Sequence, residues 1–487
     1  MAEPRSSGDD LWEKVPDIPA VVPSRTWSGQ YQSPQQQPPQ QQFFIEEYYY
    51  WPLLWFCYFN TFLLYWLGAC LMTVSESTFE PLLPPSMRKK EKERKEGEKE
   101  EEEEEEDVPE VFGSQREVNR GKELAIRGIL KNKLLSPTAH IFLNDYAKCI
   151  SKPRNECFQF YRENPHVAGQ QEIKKPVIIV GMNRSGTTLL HNLLHCDPST
   201  RSPLFYEMYG HRYSRFPLIT SRKGGLEDPR VAMIDEIIEL GRKICPETTD
   251  MQWKCHKVSG TSVEEDYVIC THQSLWIVHC CLMEDDGEYE RFVMEENKDF
   301  AFEYLKLYLK MLQTGYAPSS HWTLKSPTHL LYLPSLFSSF PDASLLICHR
   351  HPLETIPSFC YLVESIFRVY FHNMTWDRRR LGPFVTRLYK RMADRMMKFR
   401  KEHPELKEKF MDIKFKEFVS DPLAMSDKIY EWMGKEKTQE TSDAMKTYLI
   451  SNPKHKYGKP DATLEKYGLN RDEICELFSQ YIEEYCS

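Results

Sequence analysis

Between residues 113 and 487, short apolar runs alternate with stretches in which apolar side chains recur every three to four positions. Four of the runs read as strands: Pro176–Val180, the stretch around Trp322–Lys325, Ala343–Cys348 and Phe410–Lys414. A helical pattern follows each, at Thr187–His195, Leu330–Ser339, Leu353–Ser365 and Leu423–Met433. Strands separated by helices pair in parallel through crossover connections, because a hairpin needs its strands close in sequence. The pattern therefore predicts an α/β fold, a P-loop-like open parallel sheet with helices on both faces. No internal repeat of fixed period is present.

Upstream of residue 113 the pattern changes. Residues 1–42 are rich in Pro, Gln, Ser and Gly and hold too little apolar surface to offset backbone ordering, so they read as a disordered tail. Residues 43–74 read as a single transmembrane helix. From Tyr48 to Val74 there is no charged side chain, a length that crosses a hydrocarbon core of about 30 Å. Tyr48, Tyr49, Tyr50 and Trp51 stand where an interfacial aromatic belt belongs. The run lies too far from the N-terminus, with no basic region before it, to be a cleaved signal peptide. Residues 75–112 read as a charged stalk. Arg88, Lys89, Lys90, Lys92 and Arg94 follow the span and place the C-terminal body in the cytosol by the positive-inside rule.

Charge changes the picture in one respect. The 487 residues carry a formal charge of −9, and Arg88–Asp107, with seven basic and twelve acidic residues, supplies −5 of it. The remaining −4 leaves no global basic footprint, which excludes nucleic-acid binding as the main activity. Any site for a polyanion must then concentrate its positive charge locally. Fourteen cysteines fall far short of a disulfide scaffold. No CxxC pair or Cys/His cluster has zinc spacing, so no metal is expected.

The most informative segment runs from Pro176 to Leu190. A buried strand enters a loop containing Gly181 and Gly186, and an apolar helix starts at once. This geometry aims successive backbone N–H groups and the positive end of a helix dipole at one point, an anion cradle. Gly186 admits close approach, and the hydroxyls of Ser185, Thr187 and Thr188 add donors. The spacing approaches that of a nucleotide-triphosphate P-loop, but Thr187 stands where its lysine belongs. The available cation is Arg184. A second constellation follows at Leu345–Ser358, where a strand delivers Arg350 at its C-terminal end and Ser358 follows in the next helix. A planar guanidinium suits phosphate.

Together, the Arg184–Thr188 loop and the Arg350/Ser358 pair resemble the two signatures of sulfotransferases that use 3′-phosphoadenosine 5′-phosphosulfate (PAPS). Trp322–Leu330, the stretch beginning at Phe340, Tyr457–Gly458 and Leu464–Gly468 resemble the bacterial-type members, which share motifs with tyrosylprotein sulfotransferases. The likeness covers roughly residues 120–487. It implies that the first loop holds the 5′-phosphosulfate, that Arg350 and Ser358 hold the 3′-phosphate, and that Lys456, Tyr457 and Gly458 belong to a late loop closing over the nucleotide. Lys325 resembles a lysine that stabilises the transition state. No metal is required, because side-chain cations suffice for a sulfuryl group.

Sulfuryl transfer also needs a base. Glu207, 23 residues after Arg184, corresponds approximately to the acidic base of tyrosylprotein sulfotransferases. His256 is the rival, since a neutral imidazole accepts a proton near pH 7. Glu264, Glu265 and Asp266 form a third acidic group that either faces solvent or orients His256. The expectation is a membrane-anchored sulfotransferase acting on a hydroxyl or amine, located in the Golgi or another endomembrane. A nucleotide or nucleoside kinase and a non-catalytic membrane-tethered interaction protein are the alternatives. The acceptor pocket follows no readable pattern, and carbohydrate, peptide, lipid and small alcohol all stay open. Asn373–Thr375 is a glycosylation sequon, relevant if the domain is lumenal.

Overall fold

The computed structural model describes residues 110–209, 228–283, 287–371, 376–453 and 456–486. In chain order the main elements are α1 (Gln115–Leu130), α2 (Pro137–Glu163), β1 (Val177–Gly181), α3 (Thr187–His195), α4 (Pro229–Ile244), α5 (Pro246–Cys255), α6 (Asp299–Gly315), β2 (Thr323–Lys325), β3 (Ser344–His349), α7 (Pro352–Phe367), α8 (Arg378–Glu402), β4 (Phe410–Lys414), α9 (Pro422–Trp432) and α10 (Gln439–Ser451), with short helical turns between them. Each strand lies within about two residues of its expected position. The strands form one parallel sheet in the order β2-β1-β3-β4.

Strands in the middle of such a sheet are covered on both faces, which is why β1 is apolar throughout and every residue of it is buried. Its alternate side chains serve two cores. Ile178 and Val180, with Leu324, Leu345 and Ile347, face a large core that includes Tyr308 and Leu312 of α6 and Met392 and Met396 of α8. Val177 and Ile179, with Leu346, Cys348 and Ile413, face Leu190, Leu193 and Leu194 of α3, Ile429 of α9 and Met445 of α10. Each fully buried aliphatic side chain contributes about 1.5–3 kcal/mol relative to exposure. Gly181 pairs in register with Cys348, so β1 and β3 end side by side and release their following loops at the same edge. Beyond β2 the sheet is extended by Arg201, which bridges Trp322 in parallel; Thr323 donates its N–H to the Arg201 carbonyl at 2.8 Å.

The expected membrane helix requires correction. No helix among the described residues is long and apolar enough to cross a membrane. The two longest, α2 and α8, are 27 and 25 residues but carry charged residues along their length. Tyr48–Val74 lies outside the described residues, as do the tail and nearly all of the stalk. The described residues thus form an α/β parallel sheet with flanking helices, and no helix among them is long and apolar enough to cross a membrane. The membrane-anchored, single-pass and Golgi or endomembrane assignments, and the membrane as a partner, are withdrawn with the expected helix. The Asn373–Thr375 sequon also falls outside the described residues.

Candidate active site

Two left-handed residues shape the loop after β1. Arg184 has φ +71° and Gly186, the residue capping α3, has φ +95°. A Cβ on Gly186 would come within 3.1 Å of the Phe415 ring, so glycine is required both by conformation and by space. Leu190 is the first α3 residue to bond back, to the Gly186 carbonyl at 3.1 Å, so the amides before it point past the helix N-terminus. Ser185 contributes differently from its neighbours: both its N–H and its hydroxyl turn inward to the Met182 carbonyl, at 3.1 and 2.6 Å. It shapes the loop, while Thr187 and Thr188 open the helix beyond it.

The two basic signatures meet. Arg184 donates from Nε to the Ser358 hydroxyl at 3.2 Å and from Nη1 to the Cys255 carbonyl at 3.0 Å. Arg350 donates from Nη1 to the Arg184 carbonyl at 3.0 Å, and its guanidinium lies 4.0 Å from the Phe415 ring centroid. Glu354, one helical turn on, takes Nε and Nη2 of Arg350 at 2.9 and 2.8 Å. The Tyr389 hydroxyl holds the Asn183 carbonyl at 2.7 Å and clamps the loop from α8. Sequence reasoning missed Glu354, Tyr389 and the Cys255 carbonyl; only Glu354 left a signal, its four-residue spacing from Arg350.

Lys325 ends β2, paired in register with Ile179. The acidic tripeptide beside it does not face solvent: its three residues take three different partners. Glu264 binds Nε2 of His256, Glu265 accepts from Lys325 Nζ at 2.7 Å, and Asp266 accepts the Lys325 N–H at 3.1 Å and pairs with His329 Nε2 at 2.7 Å. Burial opposes ionisation of Glu264, but the His256 ring and its hydrogen bond, Lys325 and the Glu265 N–H outweigh it and hold the carboxyl at about 2. Asp266 is likewise lowered against its burial, chiefly by His329. Because Glu264 is acceptor-only, Nε2 of His256 carries the proton of that bond. The His256 side chain is 24% exposed, enough for an acceptor to reach it. On α3, His191 is pushed down to about 3 by burial and by Lys325, so it is neutral.

Glu207 stands apart from this cluster. It is fully buried, with Oε1 accepting from Arg201 Nη2 at 2.6 Å and Oε2 from the Leu204 N–H at 3.0 Å. Arg201 in turn lies 3.6 Å from the Tyr316 ring centroid and 4.6 Å from that of Trp322. The ion pair braces residues 201–204 between β2 and the acidic tripeptide, since the Glu264 N–H donates to the Pro203 carbonyl at 3.2 Å. At the other side of the site, Lys257 Nζ sits over the rings of both Trp253 and Tyr457, at 4.8 and 5.1 Å. This docks Lys456–Gly458 on the end of α5, next to the segment that carries Cys255 and His256. Gly458 has φ +96°. Lys454 and His455 lie outside the described residues.

An anion cradle without a P-loop lysine, joined to a second arginine site, narrows the families to compare. The model of the sulfotransferase family matches residues 176–439, more than half of the chain. The chain belongs to the sulfotransferase family. Membership makes it a PAPS-dependent enzyme of the bacterial type and sets aside the kinase and non-catalytic alternatives. Its relatives include the omega-hydroxy-beta-dihydromenaquinone-9 sulfotransferase Stf3 of Mycobacterium bovis, 22% identical over 317 residues that span 63% of this chain and 74% of Stf3. The fold is shared with the crystal structure of sulfotransferase STF9 from Mycobacterium avium, at TM-score 0.65 and 24% identity over 78% of this chain and 97% of that one. Sulfotransferase STF1 from Mycobacterium tuberculosis gives TM-score 0.62 and 19% identity over 76% and 94%. The residues of this sulfotransferase fit PAPS: a glycine-shaped turn whose neighbouring Cβ space is filled, and two arginines from different loops that meet there.

Proposed function

We propose that this sulfotransferase moves the sulfuryl group of PAPS to an acceptor hydroxyl at the C-terminal edge of its sheet. Arg184 and the first amides of α3 hold the 5′-phosphosulfate, Arg350 and Ser358 hold the 3′-phosphate, and Lys456, Tyr457 and Gly458 cover the nucleotide. The observation that carries the reading is the Arg184–Ser358 hydrogen bond, which brings the two basic signatures together at one loop. His256 is the base. It takes the acceptor proton at Nδ1 while Nε2–H stays on Glu264, whose fixed negative charge stabilises the imidazolium that forms.

As the proton leaves, the acceptor oxygen bonds to sulfur and the bond from sulfur to the bridging oxygen breaks, with the electron pair departing on 3′,5′-adenosine bisphosphate. Lys325 stabilises the charge that develops on that bridging oxygen. Glu265 occupies one of its three N–H donors and leaves two for this task. A sulfuryl group carries less charge than a terminal phosphate, so these side-chain cations serve without Mg²⁺. The hydroxylated acceptor in the name of Stf3 supports a hydroxyl in preference to an amine. Glu207 is a brace and not the base.

Calorimetric titration with 3′,5′-adenosine bisphosphate tests the assignment. Binding is expected in the presence of a metal chelator, weakened tenfold or more by Arg350→Ala. Tighter binding of ATP with Mg²⁺, or an Arg350→Ala protein with unaltered affinity, overturns it. Transfer of labelled sulfate from PAPS into a fractionated extract identifies the acceptor.

A further inference from the structure

Behind Arg350 lies a chain of hydrogen bonds that the phosphate chemistry does not use. β3 ends at His349, which is 2% exposed. Its Nε2 is 2.8 Å from Asp412 Oδ1 and its Nδ1 is 3.1 Å from the Tyr481 hydroxyl, while its ring stacks on Tyr485 at 4.5 Å and 17°. Asp412 also accepts two bonds from Arg400, at 2.6 and 2.9 Å. Burial opposes its charge, yet His349 and Arg400 outweigh that and hold the carboxyl at about 2.

A carboxylate only accepts, so Nε2 of His349 carries the proton. Nδ1 then accepts, and Tyr481 must donate to it. His349 immediately precedes Arg350 at the end of β3. The bonds therefore run in one direction, from Tyr481 to His349, the residue before Arg350, to Asp412. Burial lowers His349 from its ordinary value, in keeping with the neutral ring this order requires.

We propose that His349 and Tyr481 are positioning residues for Arg350. The last turn of the described chain, residues 479–486, fixes the backbone from which the guanidinium leaves the sheet and thereby sets affinity for the 3′-phosphate. The inference rests on the reading of Arg350 as the 3′-phosphate ligand. Neither residue touches the nucleotide in this account.

The test is the affinity for 3′,5′-adenosine bisphosphate of Tyr481→Phe, which loses one hydroxyl and keeps the ring. Loss of one buried hydrogen bond predicts a Kd about five- to tenfold higher, with kcat at saturating PAPS and KM for the acceptor unchanged. His349→Gln keeps a donor for Asp412 and loses the acceptor for Tyr481, so it should match, and it reads the same chain if Tyr481→Phe does not fold. Ile474→Val, in the helical turn Arg471–Leu477 of the same C-terminal region, is the control for general loosening; Ile474 is buried and outside the chain of bonds. An affinity equal to wild type in both polar variants, or an equal loss in Ile474→Val, overturns the inference. If Arg350→Ala also leaves affinity unchanged, it is the reading of Arg350 that has failed.

Discussion

Replacing Glu264 by Gln removes one negative charge from the base and little else. The amide keeps the side-chain shape and one hydrogen-bond acceptor for His256 Nε2–H. In the native protein the carboxyl sits at about 2 against an ordinary value near 4.5, and burial works against that shift. The favourable interactions with its anion thus outweigh their desolvation cost. His256 supplies the leading part of them, followed by Lys325 and the Glu265 N–H. A hydrogen bond to a charged group is worth about 1.5–3 kcal/mol, so losing part of it as the imidazolium forms should raise the barrier by about 1–2 kcal/mol, roughly a tenfold fall in kcat. Initial rates at saturating PAPS read the effect. A Glu264→Gln enzyme within twofold of wild type refutes the assignment. The contrasting variant is Glu207→Gln, which breaks a fully buried ion pair and should cost about 3–5 kcal/mol of stability. Its surviving folded fraction should turn over normally, and a stable Glu207→Gln protein with lost kcat would return the base to Glu207.

Three further outcomes are expected. Lys325→Met should lower kcat by about two to three orders of magnitude and leave the Kd for 3′,5′-adenosine bisphosphate nearly unchanged, because its role begins as the bridging oxygen gains charge; an equal loss of nucleotide affinity would make it a ground-state ligand. Gly186→Ala forces a Cβ into left-handed backbone 3.1 Å from the Phe415 ring and should cost about 1–2 kcal/mol in chemical denaturation together with nucleotide affinity. Native affinity in that variant would mean the loop is no cradle. Burial pushes His191, His272 and His279 down to about 3 and His321 to about 4. The unfolded chain therefore binds more protons below pH 6.5, and stability should fall as pH drops through 6 and 5 by up to about 1.4 kcal/mol per unit for each ring. Denaturation curves at pH 7.5 and 5.5 check the slope, and His279→Phe should reduce it by one share.

The strands and the cradle were legible because each is continuous in sequence. A five-residue apolar run such as Val177–Gly181 carries its fate locally, and the loop after it can be read residue by residue. The base was not legible, because its identity depends on who pairs with whom across the fold. Along the chain Glu207 ranks ahead of His256 as the base. The proposal reverses that order because Arg201, brought back under Tyr316 and Trp322, pairs with the Glu207 carboxylate and Glu264 orients the imidazole. Arg201 stands six residues before Glu207 and gave no spacing rule by which to pair them. The roles of Asp412 and Tyr481 behind Arg350 were equally hidden, since their contacts span 63 and 132 residues. The expected span Tyr48–Val74 lies outside the described residues, and no helix among those described is long and apolar enough to cross a membrane.

The consecutive placement of Glu264, Glu265 and Asp266 has a mechanical consequence. His256, the residue after α5, and Lys325, the end of β2, which the proposal makes proton acceptor and transition-state cation, are both tethered to adjacent residues of one peptide. Their separation is held by two side-chain hydrogen bonds to one short piece of backbone as well as by the packing of a helix on a sheet. When the domain breathes around its ligands, the two reacting groups travel together like points on a ruler. Lengthening that ruler by inserting a single residue between Glu264 and Glu265 would uncouple them while leaving every side chain of the site in the sequence.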